Sequence, residues 1–183
     1  MLRGKTVLVG ITGGIAAYKA AILVSKLRDA GAQVVVVMTH NATQFITPLT
    51  LQTLSGHSVY VDMFPPTTGE VAEHISLGQK ADVLVIAPAT ANIIGKVAAG
   101  IADDMLSTTI MAAQGQVIFA PAMHAQMYQN PIVQEKIARL KELGYHFVGP
   151  VEGKLARREV GMGRLAEIED IVDKVVQVIG GEK

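Results

Sequence analysis

An alternation along the chain limits its fold more than any other feature. Short apolar runs rich in β-branched residues cover 6–11, 33–38, 59–63, 82–87, 116–120 and 146–148, and segments with helically spaced apolar residues fall between them. Several runs are apolar at nearly every position, as in VVVVM at 34–38, which suits a strand covered on both faces. Between the first two runs, Ala16, Ala20, Leu23, Val24 and Leu27 form one helical stripe, and Gly31 is placed to end it. Further stripes occupy 93–113, 132–143 and 168–179. This order predicts an open, mostly parallel sheet with helices on both faces. The stretches 64–70 and 150–164 lack apolar periodicity and read as loops, the second long enough to act as a flap. A chain of 183 residues suits one well-filled core, so a single domain over 1–183 is expected.

Composition narrows the ligand. Lys plus Arg and Asp plus Glu balance at 16 each, so no charge excess points to nucleic acid or an anionic membrane surface. No apolar run approaches the roughly 18 residues of a membrane span, and no signal-peptide layout is evident. The expectation is a soluble cytoplasmic protein with a small-molecule ligand. Cysteine is absent, which excludes disulfides, thiolate metal sites and a catalytic thiol, and no metal site is expected.

In such sheets ligands sit at the carboxyl ends of strands, and three of these ends are polar. At the first, Gly10, Gly13 and Gly14 follow a strand and open a helix, where backbone amides can approach an anion. A tight turn holding nothing is the alternative; the strand, turn and helix context favours phosphate or cofactor binding. The spacing is not G-x-G-x-x-G, and Thr39, His40 and Asn41 follow the second strand where an NAD site would have an acid. Hydroxyl and amide groups there suit the phosphate monoester of a mononucleotide. They suit capping of the next helix equally well, and the two roles are compatible. At the second end Pro88 closes the fourth strand, and Thr90 and Asn92 open a long helix containing Gly95, Ala98, Ala99, Gly100 and Ala102. These small residues permit close packing within the chain or, slightly favoured, against another subunit. The third end carries Pro121, Ala122, Met123 and His124.

Four ordered motifs, GITGGIAAYK, MTHNATQFITPLTLQTLSG, EHISLGQKADVLVIAPATANIIGKVAAGIADDML and APAMHAQMY, resemble the flavin-containing cysteine decarboxylases. The resemblance is strongest to the phosphopantothenoylcysteine decarboxylase domain of bacterial coenzyme A biosynthesis, and it runs over about 4–179. It implies an α/β fold, a Rossmann-like three-layer sandwich with a mostly parallel, doubly wound sheet. It also implies a homo-oligomer, trimeric or dodecameric, with FMN between neighbouring subunits. By motif, Gly13, Gly14 and Ile15 would lie along the flavin and Thr39 and Asn41 near its phosphate. Thr90, Ala91, Asn92 and Ile93 would surround the ribityl chain and ring, with Ala122 beside the ring. The implied substrate is a phosphorylated cysteine conjugate, and the implied partner is a phosphopantothenate-cysteine ligase domain or chain. In the family's chemistry flavin oxidises the carbon beside the thiol, and the thioaldehyde so formed accepts the electrons left when carbon dioxide departs.

His74, in EHISLG, matches the family's active-site base. Taken without the resemblance, a lone histidine beside an apolar helix reads as structural; His40, His57 and His146 read as structural or solvent-facing. His124, Met127 and Arg157 fall at substrate positions, and two of them depart from the family. His124 replaces an asparagine thought to engage the substrate carboxylate: its ring can donate a hydrogen bond, and its bulk can also block the pocket. Arg157 stands in KLARREVGMGRL where the family's flap has its proton-donating cysteine. A guanidinium does not replace a thiol as donor, although it binds phosphate or carboxylate. Three readings stay open: a decarboxylase that stops at the enethiol or reduces it poorly, a non-catalytic or regulatory flavin-binding subunit, and a member with altered substrate.

Overall fold

The apolar runs become β1 (Thr6–Ile11), β2 (Gln33–Met38), β3 (Val59–Tyr60), β4 (Val83–Ala89), β5 (Gln116–Pro121) and β6 (His146–Phe147) in the computed structural model, which describes residues 1–64, 73–154 and 160–181. They form one sheet in the order β3-β2-β1-β4-β5-β6, with every pairing parallel. The described helices are α1 (Ala20–Asp29), α2 (Pro48–Ser55), α3 (Glu73–Lys80), α4 (Ala91–Ala98), α5 (Met105–Met111), α6 (Ala125–Gln129), α7 (Pro131–Glu142) and α8 (Ile168–Gly180).

Both faces of the sheet are apolar because successive side chains of each strand feed opposite layers. Val7, Val9 and Ile11 join Val36, Val83 and Val85 in a core closed by Leu23 and Leu27 of α1, Leu51 of α2 and Ile171 and Val175 of α8. Leu8, Leu84, Ile86 and Phe119 point the other way, into a core closed by α4, α5 and α7 through residues such as Ile94, Leu106 and Leu140. This is the expected three-layer, doubly wound α/β sandwich. Gly10 belongs to β1, and a Cβ there would run into the methyl groups of Leu106 and Ile86 at 2.6 and 2.7 Å, so it serves packing.

Three expectations need correction. The segment 93–113 is two helices, α4 and α5, because the chain turns at Gly100 (φ 72°) and restarts at an Asp104 and Ser107 capping box. Residues 150–164 are not all loop: β7 (Val151–Lys154) and β8 (Val160–Arg164) pair antiparallel as a separate ribbon. The third strand stops at Tyr60, short of Met63. The start of the first helical stripe is a 3-10 turn, Ile15–Lys19, which runs into α1. Most of the expected 64–70 loop lies outside the described residues.

Candidate functional site

From β1 the chain winds outward to β3 and then returns to β4 on the opposite side, so the two central strands send their following helices in opposite directions. Sheets of this kind hold ligands at such a reversal. A cavity of about 800 Å3 opens there, within the usual range of small-molecule sites.

Its floor is tied together by Thr12. This residue is 2% exposed; its hydroxyl donates to the Pro88 carbonyl at 2.7 Å and accepts the Thr90 N–H at 3.1 Å, joining the β1 and β4 ends. Beside it, Gly13 lies against Asn41: a Cβ there would collide with the Asn41 Cβ and approach its carbonyl carbon to 3.0 Å. Thr39 accepts the Ala42 N–H at 3.3 Å, so its capping role is realised on a 3-10 turn, His40–Gln44. Two helix starts, the Ile15–Lys19 turn after Gly14 and α4 after Thr90, open on the cavity without a side-chain cap. The amides of such first turns have no partner within the helix.

The expected cofactor residues all line this one cavity. Gly13, Gly14 and Ile15 come from the β1 end and Thr39 and Asn41 from the β2 end. Thr90, Ala91, Asn92 and Ile93 come from the β4 end, and Ala122 from the β5 end. His124 and the half-exposed Met127 line it too. His124 also caps α6, its Nδ1 accepting the Gln126 N–H at 3.3 Å. His74 is the second residue of α3, and its side chain lies outside the described part, as does Arg157 entirely.

The cavity wall also holds residues that sequence reasoning passed over. His40 stands at the rim, exposed, with Nε2 3.2 Å from Asp62. Among the described residues, Lys19, Lys96, Lys154 and Arg164 contribute four cations against a single lining acid, Asp104, although the chain as a whole is charge-balanced. Lys96 is held by Asp103 at 2.6 Å and Asp104 at 2.8 Å. Burial works to lower the Lys96 pKa, but those hydrogen-bonded ion pairs outweigh it and hold the group above its usual value. Burial likewise works to raise Asp104, and the Lys96 ammonium with the Ser107 N–H and hydroxyl holds it below the usual carboxylate range. Arg164 pairs with Glu167 and keeps its Nε buried with no hydrogen-bond partner among the described residues. Glycine turns and strand-end hydroxyls give a local signal; an isolated lysine on a ribbon gives none.

A doubly wound α/β sheet with a switch-point cavity, glycine-lined, rich in first-turn amides and biased to positive charge, has the features that suit a nucleotide-type anion. The profile of the Flavoprotein family matches residues 1–180, and the chain belongs to that family. It is 52% identical over 172 residues to the coenzyme A biosynthesis bifunctional protein CoaBC of Bacillus subtilis (strain 168), covering 94% of this chain and 42% of that protein. The chain thus spans less than half the length of the curated relatives it matches. Among solved structures, the FMN-dependent cysteine decarboxylase SpaF superposes with a TM-score of 0.82 at 33% identity, covering 97% of this chain and 99% of that one. A PPC decarboxylase mutant complexed with pantothenoylaminoethenethiol superposes with a TM-score of 0.83 at 32% identity, covering 95% and 97%. No helix among the described residues is long and apolar enough to cross a membrane.

Proposed function

We propose that this chain binds FMN in the switch-point cavity and acts in the oxidative decarboxylation of a cysteine-derived carboxylate, phosphopantothenoylcysteine, in coenzyme A biosynthesis. The supporting observation is convergence: four strand ends, separated by up to about a hundred residues of sequence, bring Gly13, Asn41, Thr90 and Ala122 to one cavity. Relatives that match nearly the whole chain are named for that pathway and that chemistry.

The residues present fit the group. FMN joins a phosphate to a polyol and a flat ring, and the cavity matches these with uncapped helix starts, the Thr39 hydroxyl and Asn41 amide, and the apolar Ile15, Ile93 and Ala122. The bare Gly13 lets the turn lie against Asn41 and keeps that end of the cavity narrow. When bound, the cofactor supplies a two-electron acceptor for the carbon beside the substrate thiol. The protein's own residues position the substrate and handle protons. His74 takes the thiol proton, and the His124 ring donates to the carboxylate with Met127 alongside. Carbon dioxide leaves from the thioaldehyde, whose C=S group receives the bonding electrons, and the product is an enethiol. Because the chain contains no cysteine, and Arg157 falls where the family's flap has its proton donor, no thiol is present to protonate the enethiol, and the product would remain the enethiol.

The working form on this reading is a cytoplasmic homo-oligomer, a trimer or dodecamer, acting with a phosphopantothenate-cysteine ligase domain or chain. Anaerobic mixing of the flavin-loaded protein with phosphopantothenoylcysteine tests it. One carbon dioxide per flavin, with bleaching of the visible band, is expected, and Arg157→Cys should convert this to continuous turnover. A second reading, a flavin-binding subunit without turnover, draws on the same absence of cysteine. An unchanged spectrum leaves this reading or that of a member with altered substrate.

A further inference from the structure

Four cations line the cavity, and two of them are committed: Lys96 to Asp103 and Asp104, and Arg164 to Glu167. Lys19 and Lys154 form no ion pair among the described residues. They stand on different walls. Lys19 ends the 3-10 turn that Gly14 opens, beside the residues assigned above to FMN. Lys154 is the last residue of β7, paired in register with Val160. The ribbon is fastened to the other wall through β8, where the Met123 N–H donates to the Gly163 carbonyl at 2.9 Å. A Cβ on Gly163 would enter the Met123 carbonyl oxygen, and φ there is +148°, so the fastening needs glycine. Lys154 therefore shares a wall with His124 and Met127, and its ladder position lies three residues, about 10 Å, along the ribbon from that anchor.

Resting on the decarboxylase reading, we propose that Lys154 is a specificity-determining residue that pairs with a phosphate at the far end of the substrate, so that the site selects a phosphorylated acyl-cysteine over an unphosphorylated one or a peptide ending in cysteine. His124 is assigned above to the carboxylate near the anchor of the ribbon, and Lys154, about 10 Å along the ribbon from that anchor, offers an ammonium with no ion-pair partner among the described residues. A cation already paired would have to give up its partner to do this; among the described residues Lys154 has none to give up.

The test uses FMN-loaded protein and two unreactive probes, 4′-phosphopantothenate and pantothenate, titrated by calorimetry. Wild type should bind the phosphorylated probe about ten- to a hundredfold more tightly, the range of one charge-assisted contact. Lys154→Met should remove most of that preference, Lys154→Arg should keep it and Lys154→Glu should reverse it, all with FMN affinity and urea midpoint unchanged. Equal or absent binding of the two probes by wild type, or a preference that survives Lys154→Met, overturns the proposal. Failure of the underlying reading is separable. Pantothenoylcysteine, which has no phosphate, should still bleach the flavin; bleaching without phosphate preference removes the Lys154 proposal alone, and preference without bleaching removes the decarboxylase reading alone.

Discussion

Gly13→Ala isolates the contact on which the cofactor end of the cavity depends. Gly13 is not among the residues with positive φ, so alanine meets no backbone penalty there. By shortening the list of unfolded conformations the change should even contribute about 0.4–1 kcal/mol of stability. The opposing effect is contact. The new methyl would overlap the Asn41 Cβ and sit 3.0 Å from its carbonyl carbon and 3.1 Å from its oxygen, against an ordinary carbon contact of roughly 3.5–4.0 Å. The colliding atoms are backbone and Cβ, which no rotamer change moves, so the turn and the Asn41 segment must part by about an ångström. Overpacking of this kind costs about 1–3 kcal/mol. The net loss is then about 0.5–2 kcal/mol, or a fall of a few degrees in Tm for a chain of this size. On the proposed placement of the cofactor phosphate, flavin binding should suffer more, because parting the walls would lengthen charge-assisted hydrogen bonds to it, each worth about 1.5–3 kcal/mol and so roughly ten- to a hundredfold in Kd. Gly14→Ala is the control. Gly14 is extended (φ −141°, ψ 156°), and its added Cβ would meet only the Thr90 Cγ2, at 3.5 Å, an ordinary contact. Urea unfolding and quenching of FMN fluorescence on titration into apoprotein measure both quantities. If Gly13→Ala unfolds like Gly14→Ala and binds FMN like wild type, the cradle argument is wrong.

Thr12→Val keeps the shape of the side chain but strands the Pro88 carbonyl and the Thr90 N–H; a loss of about 1–3 kcal/mol in chemical denaturation, with weakened FMN binding, is expected. Asp104→Asn retains an N-cap for α5 and removes only the charge facing Lys96, so the cost at neutral pH should be modest, about 0.5–1 kcal/mol for this partly exposed pair. Because the folded pKa of Asp104 is depressed, its contribution is present above the unfolded value near 3.9 and is lost as pH falls through the folded one. Urea midpoints of variant and wild type should therefore converge below about pH 4; a constant gap down to acid pH would contradict the ion-pair account. His124→Asn preserves the cap on α6 while shrinking the side chain. Carboxylate-bearing ligands should bind about three- to tenfold more weakly, with FMN affinity unchanged, and equal or tighter binding would show that the ring is not the donor.

The layered fold was legible because its cause is local: runs such as 34–38 are apolar on consecutive residues, and only a strand buried on both faces accommodates that. The strand-end clusters were legible for a related reason, since in such a sheet every strand's carboxyl end points to one edge. The break inside 93–113 was not, because apolar spacing continues through 99–104 and only a single glycine marks the turn. Nor was the ribbon of 151–154 and 160–164, whose residues show no apolar face and which depends on attachment to Met123.

Strand positions, the two-faced core and the candidate groups at the strand ends followed from residue order alone, because burial on a regular period is written into consecutive side chains. Which of those groups meet was decided only in three dimensions. The Thr12 hydroxyl finds Pro88 and Thr90 some 76 and 78 residues away, Gly13 finds Asn41, and Lys154 reaches the cavity on a ribbon fastened to another strand's exit. Hydrogen bonds, steric contact and charge pairing act over a few ångströms, and sequence separation says nothing about which distant residues the sheet will bring that close.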